Sequence, residues 1–408
     1  MLSTQAPVPD AVSPRPGPSA GPGVSDIFQL LRDGRPRTRA ELAQVSGLAR
    51  STVAARIDTL MALGLVAPYG GAASTGGRRP SLFALNPAAR VVIGADFGAT
   101  HALVTLTDLN GTELAVEHEA LSIAAGPDDV VDWLAGAVRR LLSVAGRRVE
   151  DLAAIGIGLP GPVEHETGRP INPPIMPGWD RVDVPALVQR HLHVPVLVDN
   201  DVNIMALGER TANWPDVDDL MFVKVATGIG AGLISGGVLQ RGAQGTAGDL
   251  GHVRVPRGGD AKCRCGNTGC LEALAAGPAL AAALKELTGV ELEGSSDVIA
   301  LVRSGDISAI QVLRQAGRDI GDVIATCVNL INPSVVVIGG SLAQAGEHLL
   351  AGIREVVYTR SLPLATEHLR IVPSLSGERA GVAGASAMAV AHVLSPEAID
   401  AASARLTG

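Results

Sequence analysis

The chain has 408 residues, 33 basic against 41 acidic side chains for a formal net charge of −8, and 47% apolar composition. That apolar content excludes a largely disordered chain, and at roughly 100–200 residues per domain the length implies two to four domains. No uncharged apolar run reaches the roughly 18 residues a spanning helix needs. Four cysteines, three of them crowded into residues 263–270, exclude a secreted disulfide scaffold.

Residues 1–23 carry Pro7, Pro9, Pro14, Pro16, Pro18 and Pro22 among Gly, Ser and Ala, and are read as a disordered tail. No basic-then-apolar leader follows Met1, so the expected location is cytoplasmic, with no membrane partner. Charge is uneven along the chain. Residues 24–90 hold nine arginines against four acidic residues, a net of +5, which leaves residues 91–408 at −13. A small basic module on a large acidic body points to nucleic-acid contact confined to the N-terminus.

Within residues 24–88 the apolar spacing predicts three short helices. Ile27, Leu30 and Leu31 line the first, closed by Asp33-Gly34. Thr38 and Glu41 form a capping box for a second over 39–45, with Leu42 and Val45 facing inward. Val53, Ile57, Leu60 and Leu63 line a third over 50–63, stopped by Gly64. Leu65-Val66 and residues 81–85 bracket a Gly/Arg-rich loop, completing a winged helix-turn-helix. In that motif the third helix enters the major groove of a duplex, making Arg50, Ser51, Thr52 and Arg56 candidate DNA contacts, together with Arg39. Arg78 and Arg79 in the wing are placed to reach an adjacent phosphate or the minor groove.

From residue 91 strands are predicted at 91–95, 102–106 and 113–118, with Asn110-Gly111 turning the last two. A helix over 128–144 and a buried strand over 153–159 follow, and strands and helices then alternate, which predicts an α/β body. Residues 92–106 and 221–234 both read strand, glycine turn, strand. That echo suggests two duplicated lobes, 89–210 and 211–396, around a nucleotide cleft, followed by a tail at 397–408.

His252, Cys263, Cys265 and Cys270 have the spacing His-x10-Cys-x-Cys-x4-Cys. Three thiolates and an imidazole complete a closed tetrahedral shell, the donor set of a structural zinc in the loop 252–270. Asp199, Asn200, Asp201 and Asn203 follow the apolar run 194–198. Such carboxamides and carboxylates match sugar hydroxyls, and Asp201 has the chemistry of a base that accepts a hydroxyl proton in phosphoryl transfer. Asp96, Gly98 and Thr100 at the first hairpin turn, with Thr227 and Gly228 at its counterpart, could cradle phosphates and orient Mg²⁺.

Together these residues resemble the ROK family (repressor, open reading frame, kinase) of the actin-like, sugar-kinase superfamily, over residues 24–393. The stretch 225–252 resembles the family's glycine-rich signature, and 263–272 its metal motif. The winged helix is similar to that of the family's sugar-responsive repressors, such as those for xylose and N-acetylglucosamine. The resemblance implies a two-lobed actin-like body and sugar contacts from Asn172, Asn200, Asp201, Asp249, His252 and Glu272. It also implies an adenosine side lined by Gly339 and Gly340, and Asp201 as base if phosphorylation with ATP and Mg²⁺ is retained. Two positions depart from the kinase pattern: Ala99 replaces a glycine of the phosphate turn, and Asp249 replaces a glutamate. The expectation is a transcriptional regulator, a repressor, whose homodimer or tetramer binds operator DNA and answers to a sugar or sugar phosphate. The alternative is an ATP-dependent sugar kinase with a fused DNA-binding domain.

Overall fold

The structure, a computed structural model, describes residues 23–71 and 81–407. Residues 1–22 of the tail expected at 1–23, and the wing residues Arg78 and Arg79, lie outside the described residues. The chain divides into two units: residues 1–86 with 394–408, and residues 87–393.

In the first unit, α1 (Val24–Gln29), α2 (Arg39–Ser46) and α3 (Arg50–Ala62) are accompanied by β1 (Arg37–Thr38), β2 (Val66–Gly71) and β3 (Ser81–Leu85), paired antiparallel in the order β1-β3-β2. The capping box is present: Glu41 N donates to Thr38 Oγ1 (3.2 Å) and Thr38 N to Glu41 Oε2 (2.7 Å). Gly47, at φ 71°, ends α2 in the left-handed conformation that favours glycine. Ile27, Phe28, Leu31, Leu42, Val53, Ile57 and Leu60 form the core. Val45, expected inward, is exposed, because α2 stops at Ser46 and leaves its last turn outside that core.

Among the described residues, 397–407 of the tail expected at 397–408 are helical. The helix Pro396–Thr407 belongs to this unit, with Ile399 buried. Asp400 accepts from Ser25 N (3.0 Å) and Ser25 Oγ (2.7 Å), placing a carboxylate at the positive end of α1.

The second unit contains two five-stranded sheets of one topology. The first is β4 (Val91–Phe97), β5 (Ala102–Asp108), β6 (Glu113–Glu119), β7 (Leu152–Leu159) and β8 (Val196–Asn200), in the order β8-β7-β4-β5-β6. The second is β9 (Leu220–Val225), β10 (Ile229–Ser235), β11 (Val238–Gln240), β12 (Val335–Gly339) and β13 (Arg370–Pro373), in the order β11-β10-β9-β12-β13. In each, three antiparallel strands lead and two parallel strands follow on the other side. The echo in the sequence is therefore a duplication of architecture.

Helix α4 (Pro127–Val144) covers the first sheet with Val130, Leu134, Val138 and Leu141, a stripe of period 3.6 that is nearly inaccessible. Burying each such side chain contributes about 1.5–3 kcal/mol. The second sheet is covered by α6 (Ile307–Ile331) and α7 (Glu347–Arg360).

Two further helices are exchanged between the halves. Helix α5 (Asp201–Asn213) follows the last strand of the first sheet yet packs on β10 of the second; α8 (Ala380–Val393) follows the second sheet yet packs on β4 and β7. Glycines make both approaches possible. A Cβ on Gly156 would stand 2.1 Å from Ala385 O, and one on Gly232 would stand 2.8 Å from Val202 O. The lobe boundary expected at 210 is thus crossed in both directions. Among the described residues no single helix is long and apolar enough to cross a membrane.

Candidate ligand cleft, metal centre and nucleic-acid interface

Parallel strands bring their carboxyl ends, and the polar residues that follow, to one edge of each sheet, where ligands of α/β proteins bind. Asp96 lies near the end of β4, Asn200 ends β8, Asp201 opens α5, and Lys224 lies near the end of β9. Lys224 Nζ donates to Asp201 Oδ2 at 2.5 Å, with side chains 22% and 7% exposed. Burial pulls the Lys224 ammonium down, but the charge and hydrogen bond of Asp201, then the charge of Asp96, outweigh it and leave it raised. Burial first, then the Asp201 charge, push the Asp96 carboxyl up to about 7 against the pull of Lys224. One ammonium therefore pairs with Asp201 on α5 and acts through its charge on Asp96 of β4.

The 199–203 turn is built around Asp199, whose side chain is 2% exposed. Its carboxylate accepts from Arg241 Nε (2.6 Å), Asn203 Nδ2 (2.8 Å) and Asn200 N (2.8 Å), with His165 Nδ1 3.4 Å away. Asn200 caps α5, accepting from Val202 N at 2.9 Å, and donates to Gly161 O at 3.0 Å. Asn172 is exposed in the neighbouring loop, at φ 45°, where Ile171 N binds Pro162 O and Pro173 packs on Gly161. Glu272 accepts from Ile229 N at 3.1 Å and so anchors the turn carrying Thr227 and Gly228. Asp249 is exposed at the start of the short turn Leu250–His252.

On the nucleotide side, Gly98 N binds His101 O (2.9 Å) and the His101 ring lies where a Cβ on Gly98 would stand, 2.1 Å from that position. Burial and then the Lys224 charge hold that imidazole below its ordinary range. Thr100 and Thr227 are exposed, and Gly340, at φ 84°, packs on Val225. A depression of about 400 Å³ lies along β8 instead, lined mainly by proline and aliphatic side chains together with His165 and His392. It is not where the strand-end carboxylates meet.

The metal centre is compact. One donor atom from each of His252, Cys263, Cys265 and Cys270 lies within 4.8 Å of the others. His252 Nδ1 and Cys263 Sγ are 3.5 Å apart, and the sulfurs of Cys265 and Cys270 are 3.8 Å apart. For metal–nitrogen and metal–sulfur bonds of about 2.0 and 2.3 Å, the edges of a zinc tetrahedron are roughly 3.5 and 3.8 Å. Gly266 and Gly269 take positive φ (91° and 75°), which lets the loop converge its sulfurs. Burial and the two neighbouring thiols push Cys270 up to about 12, so three thiolates need a cation beside them. The donor set fits a tetrahedral divalent metal.

In the helix-turn-helix, Arg50 and Ser51 are exposed at the start of α3, while Thr52 and Arg56 are half-buried. Arg39 is committed elsewhere: its guanidinium binds Asp58 (2.6 Å) and stacks over Phe83, 4.7 Å from the ring centre. The sequence reading missed Lys224, Arg241 and His165. Lys224 had a signal, a charge inside the apolar strand MFVKV, which is costly to bury without a partner.

A helix-turn-helix unit joined to a duplicated α/β body with polar strand ends and a cysteine–histidine cluster defines a regulator built on a sugar-kinase-type body. Residues 92–392 match the ROK family and residues 24–68 the IclR helix-turn-helix domain. The chain belongs to the ROK family. It is 30% identical over 382 residues to the xylose repressor of Caldicellulosiruptor bescii, covering 90% of this chain and 95% of that one. It is 30% identical over 367 residues to the N-acetylglucosamine repressor of Escherichia coli O157:H7, covering 87% and 89%. Among solved structures, a ROK family transcriptional regulator homologous to the Escherichia coli MLC protein matches with a TM-score of 0.79 at 25% identity, covering 94% of this chain and 98% of that chain. A ROK hexokinase from Thermus thermophilus matches with a TM-score of 0.63 at 31% identity, covering 74% and 99%.

Proposed function

We propose that this chain is a sugar-responsive transcriptional repressor that binds operator DNA through α3 and a neutral sugar or sugar phosphate in the strand-end cleft. The observation that carries the reading is the coexistence of the two parts in one chain, a helix-turn-helix whose α3 carries the exposed Arg50, and duplicated sheets whose strand ends bring polar residues such as Asp96, Asn200 and Lys224. Full-length relatives named as repressors of xylose and N-acetylglucosamine support it.

Asn172, Asn200, Asp249, His252 and Glu272 are the proposed sugar contacts. Asn200 uses both side-chain atoms to hold α5 and Gly161, and still offers one N–H to a hydroxyl. Zinc at His252 and the three cysteines would stiffen the segment that carries Asp249 and leads into Glu272, coupling metal to effector affinity. A ligand that binds one arrangement of the exchanged helices better than another shifts their population. Two copies about a two-fold axis would set paired α3 helices in successive major grooves. Thiols that hold a metal need a reducing compartment and a repressor needs access to its operator, which supports a cytoplasmic location. The kinase alternative has retention of Asp201 in its favour and the Asp201–Lys224 ion pair against it.

A thermal-shift screen of the zinc-loaded protein against pentoses, hexoses, amino sugars and their phosphates tests this reading. One sugar should raise the melting temperature, and that effect should vanish in Glu272→Ala; a panel with no stabilising sugar would overturn it.

A further inference from the structure

The fold family implies Mg²⁺ and ATP, and the residues of this cleft do not fit them. In phosphoryl transfer a divalent cation held by a carboxylate neutralises the nucleotide phosphates, while a second carboxylate accepts the hydroxyl proton. Here the cation on Asp201 is covalently part of the chain, and its charge also acts on Asp96. Lys224 reaches across from β9 with its ammonium on Asp201 Oδ2 at 2.5 Å. The contact is short, charge-assisted and largely withdrawn from solvent. A lone pair engaged by an ammonium is a poor acceptor for a substrate proton. A second cation brought to the same carboxylates would meet a resident positive charge.

The phosphate turn is altered on the same side. Ala99 follows Gly98, and the His101 ring lies against the Gly98 Cα, over the face a phosphate would need. Phosphate cradles work by close backbone approach, which a packed ring prevents.

We infer that Lys224 is a built-in replacement for the divalent cation, which keeps Mg²⁺–nucleotide out of the cleft and Asp201 silent as a base, so that effector binding needs no nucleotide. This goes beyond the repressor reading and does not depend on which sugar is the effector.

The test uses the full-length, zinc-loaded protein, with Mn²⁺ as the probe, read by electron paramagnetic resonance with and without AMPPNP. Wild type should show no Mn²⁺ site tighter than millimolar and no Mn²⁺-dependent AMPPNP binding. Lys224→Met and Lys224→Gln, checked for unchanged zinc content and circular dichroism, should each bind Mn²⁺ at least tenfold more tightly, and Asp201→Asn in the same background should abolish the gain. Glutamine preserves a hydrogen bond to Asp201 without the charge, so it stands in if methionine impairs folding. A folded Lys224 variant with no gain in Mn²⁺ affinity would overturn the inference. So would a wild-type Mn²⁺–AMPPNP site that Asp201→Asn removes.

Discussion

The exchanged helices α5 and α8 cross where neither has a side chain, and a single methyl group tests how closely. A Cβ on Gly384 would stand 1.7 Å from Ile204 O and 2.8 Å from Gly208 N, all backbone atoms that cannot rotate away. Restoring an ordinary contact requires the helices to part by about 1.5 Å, in an interior packed as densely as an organic crystal. Overpacking at a site that can relax costs about 1–3 kcal/mol, so Gly384→Ala should destabilise by about 3 kcal/mol or more. For a unit of about 300 residues that is a fall in melting temperature of roughly 5 °C or more. Gly136→Ala in α4 is the control, because its Cβ would meet only the tip of the Arg140 side chain, at 3.1 Å. There the gain in helix propensity should dominate and stabilise by up to about 1 kcal/mol. Differential scanning calorimetry of the two variants beside wild type decides the matter. Equal melting temperatures for Gly384→Ala and wild type would refute the close crossing, and a larger loss at Gly136 would refute the reasoning from contact distances.

Three other expectations follow from named groups. Cys265→Ser should reduce bound zinc, measured by plasma emission, from one per chain to none; retained stoichiometry would remove the metal assignment. Arg50→Ala should weaken DNA binding and lower the slope of log affinity against log salt by about one, whereas Arg39→Ala should lower stability with little change in slope, since Asp58 and Phe83 already hold that guanidinium. Asp96 has a folded-state pKa raised to about 7, so the folded protein holds its proton more tightly than the unfolded chain. Its stabilising effect is complete below about pH 4 and fades as pH rises through about 7, so Asp96→Asn should flatten the decline in stability between those limits; an unchanged urea-unfolding profile across that window would contradict it.

What could be read from the sequence was local. The Thr38–Glu41 capping box spans one turn, and the cysteine spacing at 263–270 packs three sulfurs into one loop, so each carries its geometry in its neighbours. The two glycine-turned hairpins showed the duplication for the same reason. What was missed joins residues far apart in the chain. Ser25 meets Asp400 across 375 positions, which made a helix look like a tail. Gly156 in a buried strand takes its meaning from Ala385, and Arg39 from Asp58 and Phe83. Lys224 could be flagged as a charge in an apolar strand, but its partner Asp201 is set by the convergence of two sheets, which no periodicity reports.

The central claim, that occupancy of the cleft alters the grip of α3 on DNA, is tested most directly by fluorescence anisotropy. A labelled duplex selected from a random pool by the zinc-loaded protein is titrated with and without each sugar of the panel, in nucleotide-free buffer. The account predicts that one sugar changes the dissociation constant at least tenfold, an effect lost in Glu272→Ala while DNA affinity without sugar remains. A duplex bound tightly and indifferent to every sugar and sugar phosphate would contradict it.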